Sequence, residues 1–177
     1  MRRLFALLLV FAFAVFAAAQ NGPSLRLEIE GKGTVVIRLY PDKAPKAVAH
    51  IAKLAKDGFY DGLRFHRADR TPRPYLVQVG DPQSRSGNLD AADMGTHGTG
   101  VKIPYEDSGL PNVAGAVGLA RLGQDRDSGG SQFYVLLAPQ RFLDGNYTVF
   151  GQITEGMDVV KAIVKGDRIV KATVSGF

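Results

Sequence analysis

The sequence predicts a mainly β domain, a closed antiparallel barrel with one helix over each opening. Three observations point there. Apolar and alternating runs of strand length recur along the chain. Helical spacing occurs only twice, once near each end. The 177 residues show no internal repeat and no linker, so they suit one domain.

The first segment reads as an address. Met1-Arg2-Arg3 is a cationic start, Leu4–Phe16 is an unbroken apolar run, and Ala17-Ala18-Ala19 gives a small-x-small cleavage pattern. This is the layout of a secretory signal peptide over 1–19, leaving 20–177 as the domain. As a membrane anchor the apolar stretch Leu4–Ala19 is short of the ~20 residues that span the hydrocarbon core. Removing Arg2 and Arg3 lowers the formal charge from +5 to +3, so much of the basicity belongs to the leader.

The body of the chain then divides in order. Leu25–Glu30 alternates apolar and charged, Gly31-Lys32-Gly33 reads as a hairpin loop, and Thr34–Tyr40 is a β-branched second strand ended by Pro41. In Pro45–Asp57 the residues Ala47, Val48, Ile51, Leu54 and Ala55 recur at helical spacing. Pro45 suits the first helical position and Gly58 suits C′. Gly80–Ala114 is rich in Gly, Asp, Ser and Thr and reads as loop, which at this length is usually functional. Phe133–Leu137, Thr148–Ile153 and Ile169–Val174 read as strands, and Met157–Val164 as a second helix with Thr154 as N-cap.

Composition excludes several chemistries. With no cysteine there is no disulfide, no thiolate nucleophile and no cysteine-ligated metal. Few basic-aromatic clusters remain to read a nucleic acid. Asp127-Ser128-Gly129-Gly130 looks like the nucleophile string of trypsin-like proteases. Arg126 precedes it where glycine is wanted, and His50, His66 and His97 are the only bases for a triad. Asp125-Arg126-Asp127 starts no EF-hand, since the twelfth position is Leu136. The three histidines lack metal-ligand spacing, and His66 reads as a hydrogen-bonded structural residue. Asn146-Tyr147-Thr148 is a glycosylation sequon that reads as incidental.

Three segments together carry a resemblance. They are Phe65-His66-Arg67 followed by Gln78-Val79-Gly80-Asp81-Pro82; Gly129-Gly130-Ser131-Gln132-Phe133-Tyr134; and Phe142-Leu143-Asp144-Gly145-Asn146-Tyr147-Thr148-Val149-Phe150-Gly151. In number, order and spacing they resemble the cyclophilin family of peptidyl-prolyl cis–trans isomerases, from about Leu25 to the C-terminus. The resemblance implies an eight-stranded barrel capped by two helices. By position it implies that Arg67 is the catalytic arginine and Gln78 the glutamine that orients it. Tyr75, Leu76, Tyr134 and Leu143 match walls of the proline pocket, and Ala120, Arg121 and Gln132 match the binding groove. Phe142 lies where many members carry tryptophan, and Tyr147 where members carry His or Tyr.

Such chemistry needs no nucleophile, metal or cofactor, and none is expected. The barrier to rotation about an X–Pro bond is lost amide resonance, and no bond breaks. Catalysis must favour the twisted amide over both planar forms. A rigid, permanently charged guanidinium in a dry pocket suits that task. The expected partners are proline-containing, unfolded or partly folded polypeptides met after export to the periplasm or beyond. Neither nucleic acid nor, once the leader is removed, membrane is expected as a partner, and the protein is read as a monomer. The alternative is a proline-peptide-binding module or chaperone with little turnover. Arg67 and Gln78 stand eleven positions apart, about three more than the family pattern. The extra length falls in Ala68–Pro74, where a surface loop absorbs it at ~0.6 kcal/mol per doubling of length, and it adds Arg70 and Arg73, either of which is a candidate to approach the groove.

Overall fold

A computed structural model describes residues 22–177; the proposed leader over 1–19 lies outside the described residues. Eight antiparallel strands form one curled sheet: β1 (Ser24–Ile29), β2 (Gly33–Leu39), β3 (Arg67–Ala68), β4 (Leu76–Val79), β5 (Ala116–Leu119), β6 (Phe133–Leu136), β7 (Val149–Glu155) and β8 (Ile169–Ser175). Their spatial order is β3-β4-β6-β5-β7-β2-β1-β8. Two helices accompany them, α1 (Pro45–Lys56) and α2 (Met157–Ala162).

The closed barrel expected from sequence is not reached; the sheet is a curled half-barrel. The edge strands β3 and β8 do not pair. Between them the chain just before β3 makes only a single bridge, Arg64 with Arg168. The flanking bonds are Phe65 N–H to Asp167 O at 2.9 Å and Ile169 N–H to Leu63 O at 2.8 Å. A two-residue β3 is too short to continue the ladder across that seam.

Alternation explains why β1 and β2 are read from the sequence. Leu25, Leu27 and Ile29 of β1 and Val35, Ile37 and Leu39 of β2 are all buried on the inner face. Strands β3, β4 and β5 give no such signal. They are two to four residues long, and β5 is buried at every position. A strand covered on both faces shows no period of two.

Helix α1 closes one opening with Ala47, Val48, Ile51, Leu54 and Ala55 buried against the sheet. Its N-cap, Ala44, has no side chain that can cap. The cap comes from elsewhere in the chain: Lys46 N–H donates to Glu106 Oε1 and Ala47 N–H to Glu106 Oε2, each at 2.9 Å. A carboxylate at a helix N-terminus satisfies two orphan donors and meets the positive end of the dipole. Glu106→Ala is therefore expected to lower unfolding stability by about 2 kcal/mol, read as a reduced urea midpoint at unchanged slope. Helix α2 differs from expectation. Thr154 lies within β7, where its Oγ1 donates to Val36 O at 3.3 Å. The N-cap is Gly156 at φ 79°, where a Cβ would stand 2.2 Å from Thr34 O.

Candidate active site

The strand alternation that builds the core also builds a second face. Along β4, β6 and β5, Val77, Val79, Phe133, Val135, Val117 and Leu119 point into the main core. Leu76, Tyr134, Leu136 and Ala116 point the other way and form a smaller apolar cluster with Leu143 and Val149. Period two puts Gln78 and Gly118 on that outer face as well. Register then aligns a row across four strands: Arg67 opposite Gln78, Gln78 opposite Tyr134, and Tyr134 opposite Gly118.

Over this row lies a cavity of about 270 Å³. Of the residues proposed from sequence, Arg67, Tyr75, Leu76, Gln78, Ala120, Arg121, Tyr134, Leu143 and Tyr147 all line it. Gln132 does not. It lines a neighbouring cavity of about 150 Å³ that shares Gln78, Gly95, Ala120 and Arg121 as a common wall. Phe142 is also apart. Phe142 is 67% exposed, while its neighbour Leu143 is 4% exposed. Both sit on the short 3₁₀ turn Arg141–Leu143, where consecutive side chains diverge by about a third of a turn. Phe142 instead lies 6.2 Å from the Tyr75 ring and lines a separate hollow with Pro72, Arg73 and Pro74. Arg70 turns away too, donating to Ile163 O.

Arg67 is fixed by three contacts. Its Nε donates to Asp69 Oδ2 at 2.8 Å, and its Nη2 forms an ion pair with the same oxygen at 2.5 Å. Nη1 donates to Gln78 Oε1 at 3.4 Å. Asp69 was not among the sequence candidates. Its signal was the i, i+2 spacing from Arg67, which puts both side chains on one side of extended backbone. Three of the five N–H groups are thereby occupied, leaving one on each terminal nitrogen.

Gln78 is oriented from behind. Its Nε2 donates to Gln132 Oε1 at 2.9 Å, and Gln132 Nε2 donates to Gly95 O and His97 O at 2.9 and 2.7 Å. This relay turns the Gln78 carbonyl toward Arg67. The loop it grips is anchored by Asp81, fully buried, whose carboxylate accepts from the N–H groups of Gln83, Gly95 and His97. That loop brings Met94 and Gly95 to the cavity wall, two positions the sequence did not single out.

At the floor, Tyr134 is 2% exposed, and its hydroxyl donates to Asn112 Oδ1 at 2.7 Å. Asn112 is held in turn by Asp144 Oδ1, which accepts from its Nδ2 at 3.1 Å and its backbone N–H at 2.7 Å. Burial pushes the Tyr134 phenol well above its usual range, and the Tyr75 phenol upward. Both stay neutral at physiological pH. The Tyr134 and Tyr147 rings meet edge-on at 5.8 Å.

His66 departs from expectation. It is 8% exposed and lines the cavity, yet neither ring nitrogen has a hydrogen-bond partner among the described residues. Burial holds its pKa below the ordinary 6.5, opposed by Asp81 and aided by Arg67 and Lys165. His50 shifts the same way by burial, aided by Lys53. A lowered folded pKa means that unfolding takes up protons. The associated stability is full above pH 6.5 and is lost as pH falls through the folded values. Unfolding free energy, read from the urea midpoint at unchanged slope, is expected to fall between pH 7 and 5.5, by at most ~1.4 kcal/mol per pH unit for each histidine. His66→Gln should flatten that dependence.

The protease-like string has no catalytic geometry. Ser128 Oγ is engaged by Leu122 N–H at 2.7 Å and by Asp125 O, and the buried Ser131 Oγ donates to Gly80 O at 2.8 Å. In the sequon, Thr148 is buried and bonded to the Glu106 backbone. No group of three His, Cys, Asp or Glu suited to a metal occurs among the described residues.

Comparison with known proteins agrees with this fold. The family model for cyclophilin type peptidyl-prolyl cis-trans isomerases matches residues 24–175. A peptidyl-prolyl cis-trans isomerase of Synechococcus elongatus is 41% identical over 150 residues, covering 84% of this chain and 93% of that protein. Peptidyl-prolyl cis-trans isomerase B of Bacillus subtilis is 39% identical over 150 residues, covering 84% and 95%. A Cryptosporidium parvum cyclophilin, crystallised in the presence of the dipeptide Ala-Pro, shares the fold at TM-score 0.70 and 20% identity, covering 85% of this chain and 98% of that one. With the family model spanning nearly all described residues and two bacterial relatives near 40% identity, the chain belongs to the cyclophilin-type peptidyl-prolyl cis–trans isomerases.

Proposed function

We propose that the chain accelerates X–Pro rotation in exported, unfolded or partly folded polypeptides by stabilising the twisted amide with Arg67. The observation that carries this is the placing of Arg67, across the strand pair from Gln78, at the side of a cavity floored by Leu76, Tyr134 and Leu143. The proline ring would sit on that apolar floor while the flanking chain turns. As the amide leaves planarity, its nitrogen regains a lone pair and becomes an acceptor. The two free N–H groups of Arg67 then bind the twisted form better than either planar one. Asp69 and Gln78 hold the guanidinium in place, so little reorganisation accompanies the reaction.

The Arg-rich, apolar start of the chain supports export, and the protein is read as acting alone, as a monomer, without metal or cofactor. The test is a proline-peptide isomerisation assay on residues 20–177 beside NMR exchange measurements. Accelerated exchange supports the reading. Peptide binding with exchange at the uncatalysed rate replaces it with a binding module.

A further inference from the structure

The walls of the groove carry charge of one sign. The proline cavity, its neighbour and a third, smaller hollow against Tyr147 together present Arg67, Lys102, Arg121 and Arg126, with no Asp or Glu in any of the three linings. Most of these cations are already engaged. Arg67 is paired with Asp69, and Lys102 Nζ with Asp125 at 3.2 Å. Arg126 lies 3.8 Å over the Tyr105 ring and donates to Gly145 O.

Arg121 differs. It alone among these cations lines all three hollows, so it stands where they meet. Its guanidinium lies 4.5 Å over the Tyr147 ring, and its Nη1 donates to Gly123 O at 2.6 Å. No carboxylate forms an ion pair with it among the described residues. Asp125, the acid whose pKa it helps to lower, is hydrogen-bonded to Lys102. Its Nε is buried without a protein partner. A half-buried guanidinium with donors to spare, steadied from one side by an aromatic face, matches a carboxylate better than any neutral group.

Resting on the isomerase reading, we propose that this groove selects prolines flanked by an acidic residue, and that Arg121 is the specificity-determining residue that binds the carboxylate. Ala120, Arg121, Gln78 and Gly95 are shared between the proline cavity and its neighbour. A residue one or two positions from the proline, at ~3.8 Å per Cα step, reaches Arg121 from there. The charge of Arg121, which no carboxylate among the described residues pairs, draws such a segment in and disfavours lysine-flanked prolines.

The experiment compares short peptides with Glu, Gln or Lys one or two residues from a single proline, by kcat/KM and by NMR titration. The preference for Glu over Gln is expected to reach about fivefold at low salt, with Lys poorest, and to shrink in ~0.5 M salt as screening shortens the range of the charges. Arg121→Gln should bring the Glu-to-Gln ratio to about one, and Arg121→Lys should keep part of it. Equal values for the three peptides in an active protein overturn the proposal and leave the isomerase reading standing. If no peptide is accelerated, the isomerase reading falls, and the Glu-to-Gln ratio of the titration affinities decides the charge selection separately. Should Arg121→Gln not fold, Arg121→Lys and the salt dependence of the unaltered protein decide the same point: a Glu preference that neither one changes overturns the proposal.

Discussion

Arg67→Ala is expected to lower kcat/KM for proline-peptide isomerisation by about a hundredfold to a thousandfold, the usual effect of removing one preorganised donor to developing charge. At 1.36 kcal/mol per decade that is ~3–4 kcal/mol of lost preference for the twisted amide. Stability should barely change. The Arg67 side chain is 44% exposed, and its partner Asp69 is partly open to solvent, so losing the pair costs within ~1 kcal/mol. The same activity assay run with Arg67→Lys separates charge from geometry. Lysine keeps the charge but cannot hold Asp69 and Gln78 while offering two further N–H groups, so most activity should still be lost. Asp69→Asn probes a positioning role, since it weakens the hold on Nε and leaves the guanidinium present. Its expected signature is a loss in kcat larger than any rise in KM. Full activity in Arg67→Ala would remove the arginine from the mechanism and leave the apolar floor as the whole site.

Which parts of this arrangement could be read from sequence follows from how many residues each signal spans. Strands β1 and β2 are legible because Leu25, Leu27 and Ile29, and Val35, Ile37 and Leu39, alternate over six or seven positions against solvent. Strands β3 to β5 are not, although they carry the site, because β3 spans only two residues and β4 and β5 are four-residue strands buried at nearly every position, too short and too uniform to show a period. Arg67, Gln78, Tyr134 and Leu143 were found through motif resemblance, and register brings them to one cavity. What motif could not supply was direction. Phe142 and Leu143 are neighbours in sequence and part company on a single turn. Nor does a motif show which groups hold the motif residues. Asp69 lies in the lengthened loop, Asn112 accepts from the Tyr134 hydroxyl from 22 residues away, and Asp144 holds Asn112 from another loop. The sheet's failure to close was likewise hidden, since it depends on a two-residue edge strand.

The second large effect is expected at Gly118, a position with no chemistry of its own. A Cβ there would lie 2.3 Å from the Tyr134 hydroxyl oxygen and 2.4 Å from its Cζ. Real Cβ atoms do not approach so closely, so the ring must move. It cannot swing freely, because its hydroxyl is tied to Asn112 and its ring meets Tyr147 edge-on. Gly118→Ala should therefore cost ~1–3 kcal/mol from overpacking, with more if the buried Asn112 acceptor loses its donor. The displaced ring also tilts the cavity floor, and misplacing a substrate by ~1 Å can cost a hundredfold in rate. A double-mutant cycle isolates the cause. In a Tyr134→Leu background the hydroxyl and Cζ are gone, so adding Gly118→Ala should cost little further stability. Two single effects that simply add would show that the ring is not what Gly118 makes room for. Strong non-additivity would establish that the missing side chain on β5 sets the position of the proline pocket's floor on β6.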